Sequence, residues 1–151
     1  EKQSGGVDRE QVADFLKAES RQEGAFQCDS LVFREIVNRH LRDMHRSGTP
    51  AQILVYRLEN AGASPEERAI YMRQMEEVLS HSLRAGDPFT RGGIELLLAL
   101  LPGASGENGP AIVERIGGSF HREYPQSGAR FDVQILDLGT MGRSWEEQGK
   151  E

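Results

Sequence analysis

Residues 83–102 read LRAGDPFTRGGIELLLALLP. Helical patterning reaches Arg84. Gly86 is the residue type that ends helices because it tolerates positive φ, and Pro88 keeps the helix from resuming. Residues 89–91 suit a short strand, and Gly92-Gly93 is a favoured two-residue hairpin turn. From 94 to 101 only Glu95 is polar, which predicts a strand buried on both faces. A hairpin arm of that kind belongs in the middle of a sheet, with the rest of the chain packed around it.

The flanking segments supply what such a sheet needs. Residues 7–21 carry a narrow helical stripe, Val12, Phe15 and Leu16, fitting a connecting helix at a domain edge. Asp29 or Ser30 is placed to cap a helix running to about residue 46, which Gly48 and Pro50 end. Its apolar face is Leu31, Val37, Leu41 and Met44, flanked by Phe33 and Ile36. Residues 53–58 form a second strand apolar on nearly both faces. Ser64-Pro65-Glu66-Glu67 is a capping box with proline in the first turn. The helix it starts is expected to run to about residue 84 and to bury Ile70, Met75, Val78, Leu79 and Leu83. After the glycine-rich loop at 103–109, Asn108 and Pro110 open a helix with Ile112, Val113, Ile116 and Phe120 inward, and Pro125 closes it. Phe131, Val133 and Ile135 alternate with Asp132 and Gln134, the mark of a strand with one open face.

The order β-α-β-β-α-β predicts an α+β fold with a ferredoxin-like core and an additional N-terminal helix or two. That topology puts the first and third strands in the middle, where the two most apolar strands are found. Val55 and Leu98 are therefore expected to be buried and the strand at 131–138 to lie at an edge. The helix at 29–46 is the natural cover for the face that the other two helices leave bare. The organisation is a linker and connecting helix at 1–24, one domain at 25–139 and a polar tail at 140–151.

Bulk composition narrows the function classes. The 151 residues are 37% hydrophobic and 28% charged, and they contain no run of about 18 apolar residues. The chain opens on Glu1 rather than Met, without a signal-peptide pattern, which fits a piece of a longer protein with a further domain upstream. The single Cys28 allows no internal disulfide and suits a cytoplasmic setting. A net charge of −6 argues against direct nucleic-acid binding, although 15 of the 18 basic residues are Arg.

The hairpin stretch resembles the signature region of GGDEF (diguanylate cyclase) domains, which read RxxD, an Arg, an aromatic, GGDEF and an apolar strand. Arg84-Ala85-Gly86-Asp87 fills RxxD, and Arg91 falls at the expected spacing, so the resemblance implies a ligand site of Arg84, Asp87 and Arg91. The signature itself is degenerate: Gly92-Gly93-Ile94-Glu95-Leu96, or without a gap Gly93-Ile94-Glu95-Leu96-Leu97, lacks an acid in either reading. Asp29 and Asn38-Arg39 echo the opening helix of the family, DxLTGLxNRR, with two extra residues between them. The resemblance covers about residues 25–139. It implies the same general fold, as found at the C-terminus of some bacterial transcription regulators.

Cyclases of this family need a carboxylate on the first strand and acids at the hairpin, which together hold metal ions. Here the first-strand positions are Tyr56, Arg57, Leu58 and Glu59, and the hairpin offers only Glu95. The FKxxND…GHxxGD insert that shapes the nucleotide pocket has no counterpart between Glu59 and Ser64. A residual metal pair of Glu59 and Glu95 is the one way to retain such a centre. The expectation is no cyclase activity, no metal and no cofactor.

Within the family RxxD is the inhibitory site for the product, cyclic di-GMP. A guanidinium can bond guanine O6 and N7 bidentately, and a carboxylate can accept from N1 and N2. The same two residues also have a structural reading, with Arg84 satisfying carbonyls at a helix end and Asp87 anchoring the turn. The function expected is a non-catalytic signalling domain of a bacterial regulator with cyclic di-GMP as candidate ligand. The alternatives are a protein-interaction or homodimerisation module without nucleotide, and an active cyclase with atypical metal ligands. His40, His45, His81 and His121 lack metal-ligand spacing, Cys28 lacks an evident base, and Gly103-Ala104-Ser105-Gly106 lacks the Lys of a phosphate loop. Trp145 stands alone in the polar tail, and Arg34, Arg39, Arg42 and Arg46 form a basic flank on one helix.

Overall fold

The computed structural model describes residues 8–13 and 25–140. Most of the connecting helix expected at 7–21 and the tail with Arg143 and Trp145 lie outside the described residues, although 9–13 are helical. The elements are α1 (Ser30–Ser47), β1 (Ala51–Leu58), α2 (Pro65–Ser82), β2 (Phe89–Gly93), β3 (Leu96–Pro102), α3 (Asn108–Glu123) and β4 (Phe131–Asp137).

Local chemistry sets the helix ends. Asp29 accepts the Val32 N–H at 2.9 Å to cap α1. Gly48 stops that helix at φ 73°, its N–H bonding the Met44 carbonyl. At α2 the capping box closes both ways: the Ser64 N–H donates to Glu67 Oε1 at 2.8 Å and the Glu67 N–H to Ser64 Oγ at 3.1 Å.

The four strands lie in the order β2-β3-β1-β4, and every neighbouring pair is antiparallel. This is the ferredoxin-like arrangement, with β1 and β3 central and β4 at an edge. Alternation along the strands divides the core in two. Leu54, Tyr56, Leu97, Ala99 and Leu101 pack under α2 and α3 with Met72, Val78, Leu79 and Ile116. Ala51, Ile53 and Leu100 pack under α1 with Phe33, Val37 and Leu138. Gly109 lets α3 approach the sheet closely, because a Cβ there would lie 2.6 Å from Gln52 Oε1 and 2.8 Å from Ile135 Cγ2.

Several local expectations are corrected. The hairpin turn is Ile94-Glu95, not Gly92-Gly93. Arg91 pairs with Leu97 and Gly93 with Leu96, so Gly92 is a bulge and both glycines belong to β2. Gly86 has no positive φ. Instead α2 ends at Ser82, and Leu83 at φ −86° and ψ 158° turns the chain out. Met75, Val78, Leu79 and Leu83 are buried as expected and Met72 joins them, but Ile70 is exposed, as is Leu31 on α1. Val55 and Leu98, expected to be buried, are half-buried, because a single helix does not cover the second face completely.

Among the described residues, a buried hydroxyl stands without a hydrogen-bond partner. Tyr56 is 3% exposed, and its hydroxyl makes no hydrogen bond among the described residues. Burial pushes its phenol well above the ordinary range. An unsatisfied buried hydroxyl costs about 1–3 kcal/mol. Tyr56→Phe is therefore expected to match or exceed the wild type, by about 1 kcal/mol at most, in urea unfolding. A clear loss would show that the hydroxyl has a partner.

Candidate functional site

The chemistry-bearing residues gather at two places on the frame. The first is the hairpin tip. Ile94 stands 84% exposed there, and the Glu95 carbonyl accepts the Leu58 N–H at 2.9 Å, tying the tip to the end of β1. Arg68, one turn into α2, reaches across to it. Its Nε donates to Glu95 Oε2, and its Nη1 donates to the Asn60 carbonyl. Arg57 Nη2 lies 3.3 Å from Glu59 Oε2 and 3.7 Å from Asp132 Oδ2. The hydrogen bond from Arg68 holds the Glu95 carboxyl below the usual range, with the Arg68 and Arg57 charges adding to it against partial burial.

This donor set does not fit a divalent cation. Glu59 and Glu95 each face an arginine, and the Arg68 guanidinium lies between the hairpin carboxylate and a carbonyl of the β1–α2 loop. No cluster of three or more His, Cys, Asp or Glu able to hold a metal occurs among the described residues.

The Arg68–Glu95 pair has a pH signature. Because the folded carboxyl is held below its unfolded value, the pair stabilises fully above the unfolded pKa. That contribution is lost as pH falls through the lowered folded value. Wild type is thus expected to melt above Glu95→Gln at neutral pH, the gap closing in acid. A gap independent of pH would contradict the ion pair.

The second place is the loop between α2 and β2. The Asp87 N–H bonds the Arg84 carbonyl at 2.9 Å. Asp87 Oδ2 in turn accepts the Arg84 backbone N–H at 3.1 Å and Nε at 3.4 Å. RxxD therefore folds on itself as a tight loop. Asp87 is only 2% exposed, whereas the Arg84 side chain is 70% exposed.

Beside Arg84 lies an open cavity of about 440 Å³ that also takes in Gly103, Asn108, Ile112 and Arg115. The glycine-rich loop and the first turn of α3 form one wall. Gly103 and Gly106 adopt φ 83° and 53° there, and Asn108 Oδ1 accepts the Ser105 N–H at 3.0 Å. The residue preceding α3, Glu107, makes no side-chain cap. Arg115 Nη2 donates to the Ser82 carbonyl at 2.6 Å, which holds its guanidinium at the end of α2.

The cavity thus offers two guanidiniums and a helix N-terminus, a combination suited to a phosphate-bearing ligand. Arg115 was not among the residues singled out in the sequence. Of those that were, Arg84 and Asp87 meet, while Arg91 faces elsewhere, with Nε 3.0 Å from Glu76 Oε2 and Nη2 on the Ile94 carbonyl. Gly92, Gly93, Ile94 and Glu95 form the hairpin end.

Comparison with solved structures places this frame. A DGC protein from Thermotoga maritima superposes with a TM-score of 0.63 at 17% identity, over 75% of this chain and 81% of that one. The diguanylate cyclase SiaD from Pseudomonas aeruginosa, solved with its activator SiaC, gives 0.61 at 16% identity. The fold is that of a diguanylate cyclase domain. The SiaD match spans 85% of this chain and 55% of the SiaD chain. No protein-family profile matches the sequence, and no curated protein matches it. On this cyclase fold the hairpin tip carries the arginine-paired Glu95, and the RxxD loop opens onto a separate cavity at the end of α2. No helix among the described residues is long and apolar enough to cross a membrane.

Proposed function

We propose that this is a non-catalytic signalling domain built on the diguanylate-cyclase fold, working within a bacterial regulator as a cytoplasmic receptor for cyclic di-GMP. The observation that carries the non-catalytic reading is the Arg68 guanidinium on Glu95 and the Asn60 carbonyl. A fixed internal cation already neutralises the one hairpin carboxylate, and Arg57 engages the neighbouring acids. Little remains to bind and orient a metal-bridged triphosphate.

The receptor reading is supported by the Arg84–Arg115 cavity. Arg84, free on its outer side, is the group for the guanine edge. Arg115 and the first turn of α3 suit the phosphates. Asp87, buried and already accepting two hydrogen bonds, serves by fixing the Arg84 backbone rather than by meeting guanine.

Incubated with GTP and Mg²⁺ or Mn²⁺, the purified chain is expected to form no cyclic dinucleotide. Steady turnover that vanishes in Glu95→Ala would revive the enzyme reading. A second reading, a protein-interaction or homodimerisation domain without nucleotide, draws on the SiaD neighbour, which is solved bound to a protein activator.

A further inference from the structure

The face of the sheet beneath α1 holds a feature that neither arginine site uses. Phe33 and Val37 of α1 reach the strands, but Val55 and Leu98, opposite one another in register, stay half-buried. Between helix and sheet they leave a groove of about 290 Å³. Its floor is Ile53, Val55, Leu98 and Leu136, and its wall is Phe33 and Val37. That is near the lower end of ligand-pocket sizes.

The rim is polar and cationic. Ser30, Arg34 and Thr90 line it, and among the described residues no carboxylate does. Arg34, like Arg39 and Arg42 on the same helix, has no ion pair or hydrogen bond among the described residues, and of the three it alone lines the groove. The bulged Gly92 also borders the groove. A Cβ there would press to 3.2 Å against Leu96 and Leu98, so glycine keeps that side open.

We propose that this groove binds a small anionic amphiphile, an aliphatic or aryl acid whose apolar body lies on Val55 and Leu98 while its acid group pairs with Arg34. Apolar burial supplies the attraction. The Arg34 guanidinium, unpaired among the described residues, selects the charge and fixes the orientation.

The probe is decanoate below its micellar range, with decyltrimethylammonium as the cationic control, read by methyl NMR of the whole chain. Decanoate is expected to shift the Val55 and Leu98 methyl signals saturably, and the cationic control is not. Arg34→Glu, at an exposed position, is expected to weaken decanoate by about ten-fold or more. It should leave cyclic di-GMP binding unchanged, so this proposal and the receptor reading fail separately. Equal shifts with both amphiphiles, or decanoate binding that survives Arg34→Glu, would overturn the proposal. So would methyl shifts that track protein concentration without any amphiphile, which would make a second copy of the chain the occupant.

Discussion

Phe89→Ala is expected to cost about 3–5 kcal/mol in urea unfolding, the usual range for emptying a phenylalanine site in a core. Phe89 is fully buried in the larger core cluster, at the first position of β2. Its backbone carries a second duty. Its N–H bonds the Phe26 carbonyl at 2.9 Å and its carbonyl accepts the Cys28 N–H at 3.0 Å, so the segment entering α1 lies along the outer edge of β2. A cavity at Phe89 thus loosens an edge strand and the start of α1 together. Against a typical total of about 5–15 kcal/mol, the loss corresponds to a fall in Tm of roughly 6–20 °C. Phe26→Ala, at a neighbour that is 39% exposed, is the control and is expected to lose clearly less than Phe89→Ala. Equal losses for the two would remove Phe89 from the core.

Arg84→Ala is expected to weaken cyclic di-GMP by about ten-fold to a hundred-fold, since a bidentate arginine–guanine contact is worth roughly 1–3 kcal/mol. Arg115→Ala should weaken it too, because its guanidinium shares the cavity. Asp87→Ala is expected to differ in kind. It frees the Arg84 backbone N–H from its acceptor, so stability should fall along with affinity. Arg122, whose nearest partner is Ser119, is the control and should be silent. Loss of affinity in Asp87→Ala alone, with Arg84→Ala unaffected, would move recognition away from the guanidinium.

The parts of this fold legible in the sequence are those fixed by neighbours in the chain. The capping box at Ser64, the Asp29 cap and the Gly48 stop are hydrogen bonds across three or four residues, and their residue types announce them. Strand order followed from which runs were apolar on both sides. The hairpin turn was misread because pairing with β3, not the glycines, sets the register and pushes Gly92 into a bulge. Gly86 was misread as the stop because the Asp87 carboxylate captures the Arg84 N–H three residues back, making a left-handed glycine unnecessary. Half-burial of Val55 and Leu98 depends on how much sheet one helix covers, which periodicity does not encode.

Both sites depend on contacts between distant residues. Arg68 and Glu95 are 27 positions apart, and Arg115 and Ser82 are 33 apart. RxxD was visible as a motif, but the arginine that completes its cavity enters only when α3 packs against α2. The arginine that answers Glu95 likewise enters only when the start of α2 lies beside the hairpin.

The receptor claim is tested most directly by calorimetric titration of the wild-type chain with cyclic di-GMP, alongside Arg84→Ala and Arg115→Ala. Saturable binding in the micromolar range, weakened at least ten-fold in both variants, is the result expected. No binding at high micromolar concentration, or binding that neither variant weakens, would contradict it and leave RxxD as a structural loop.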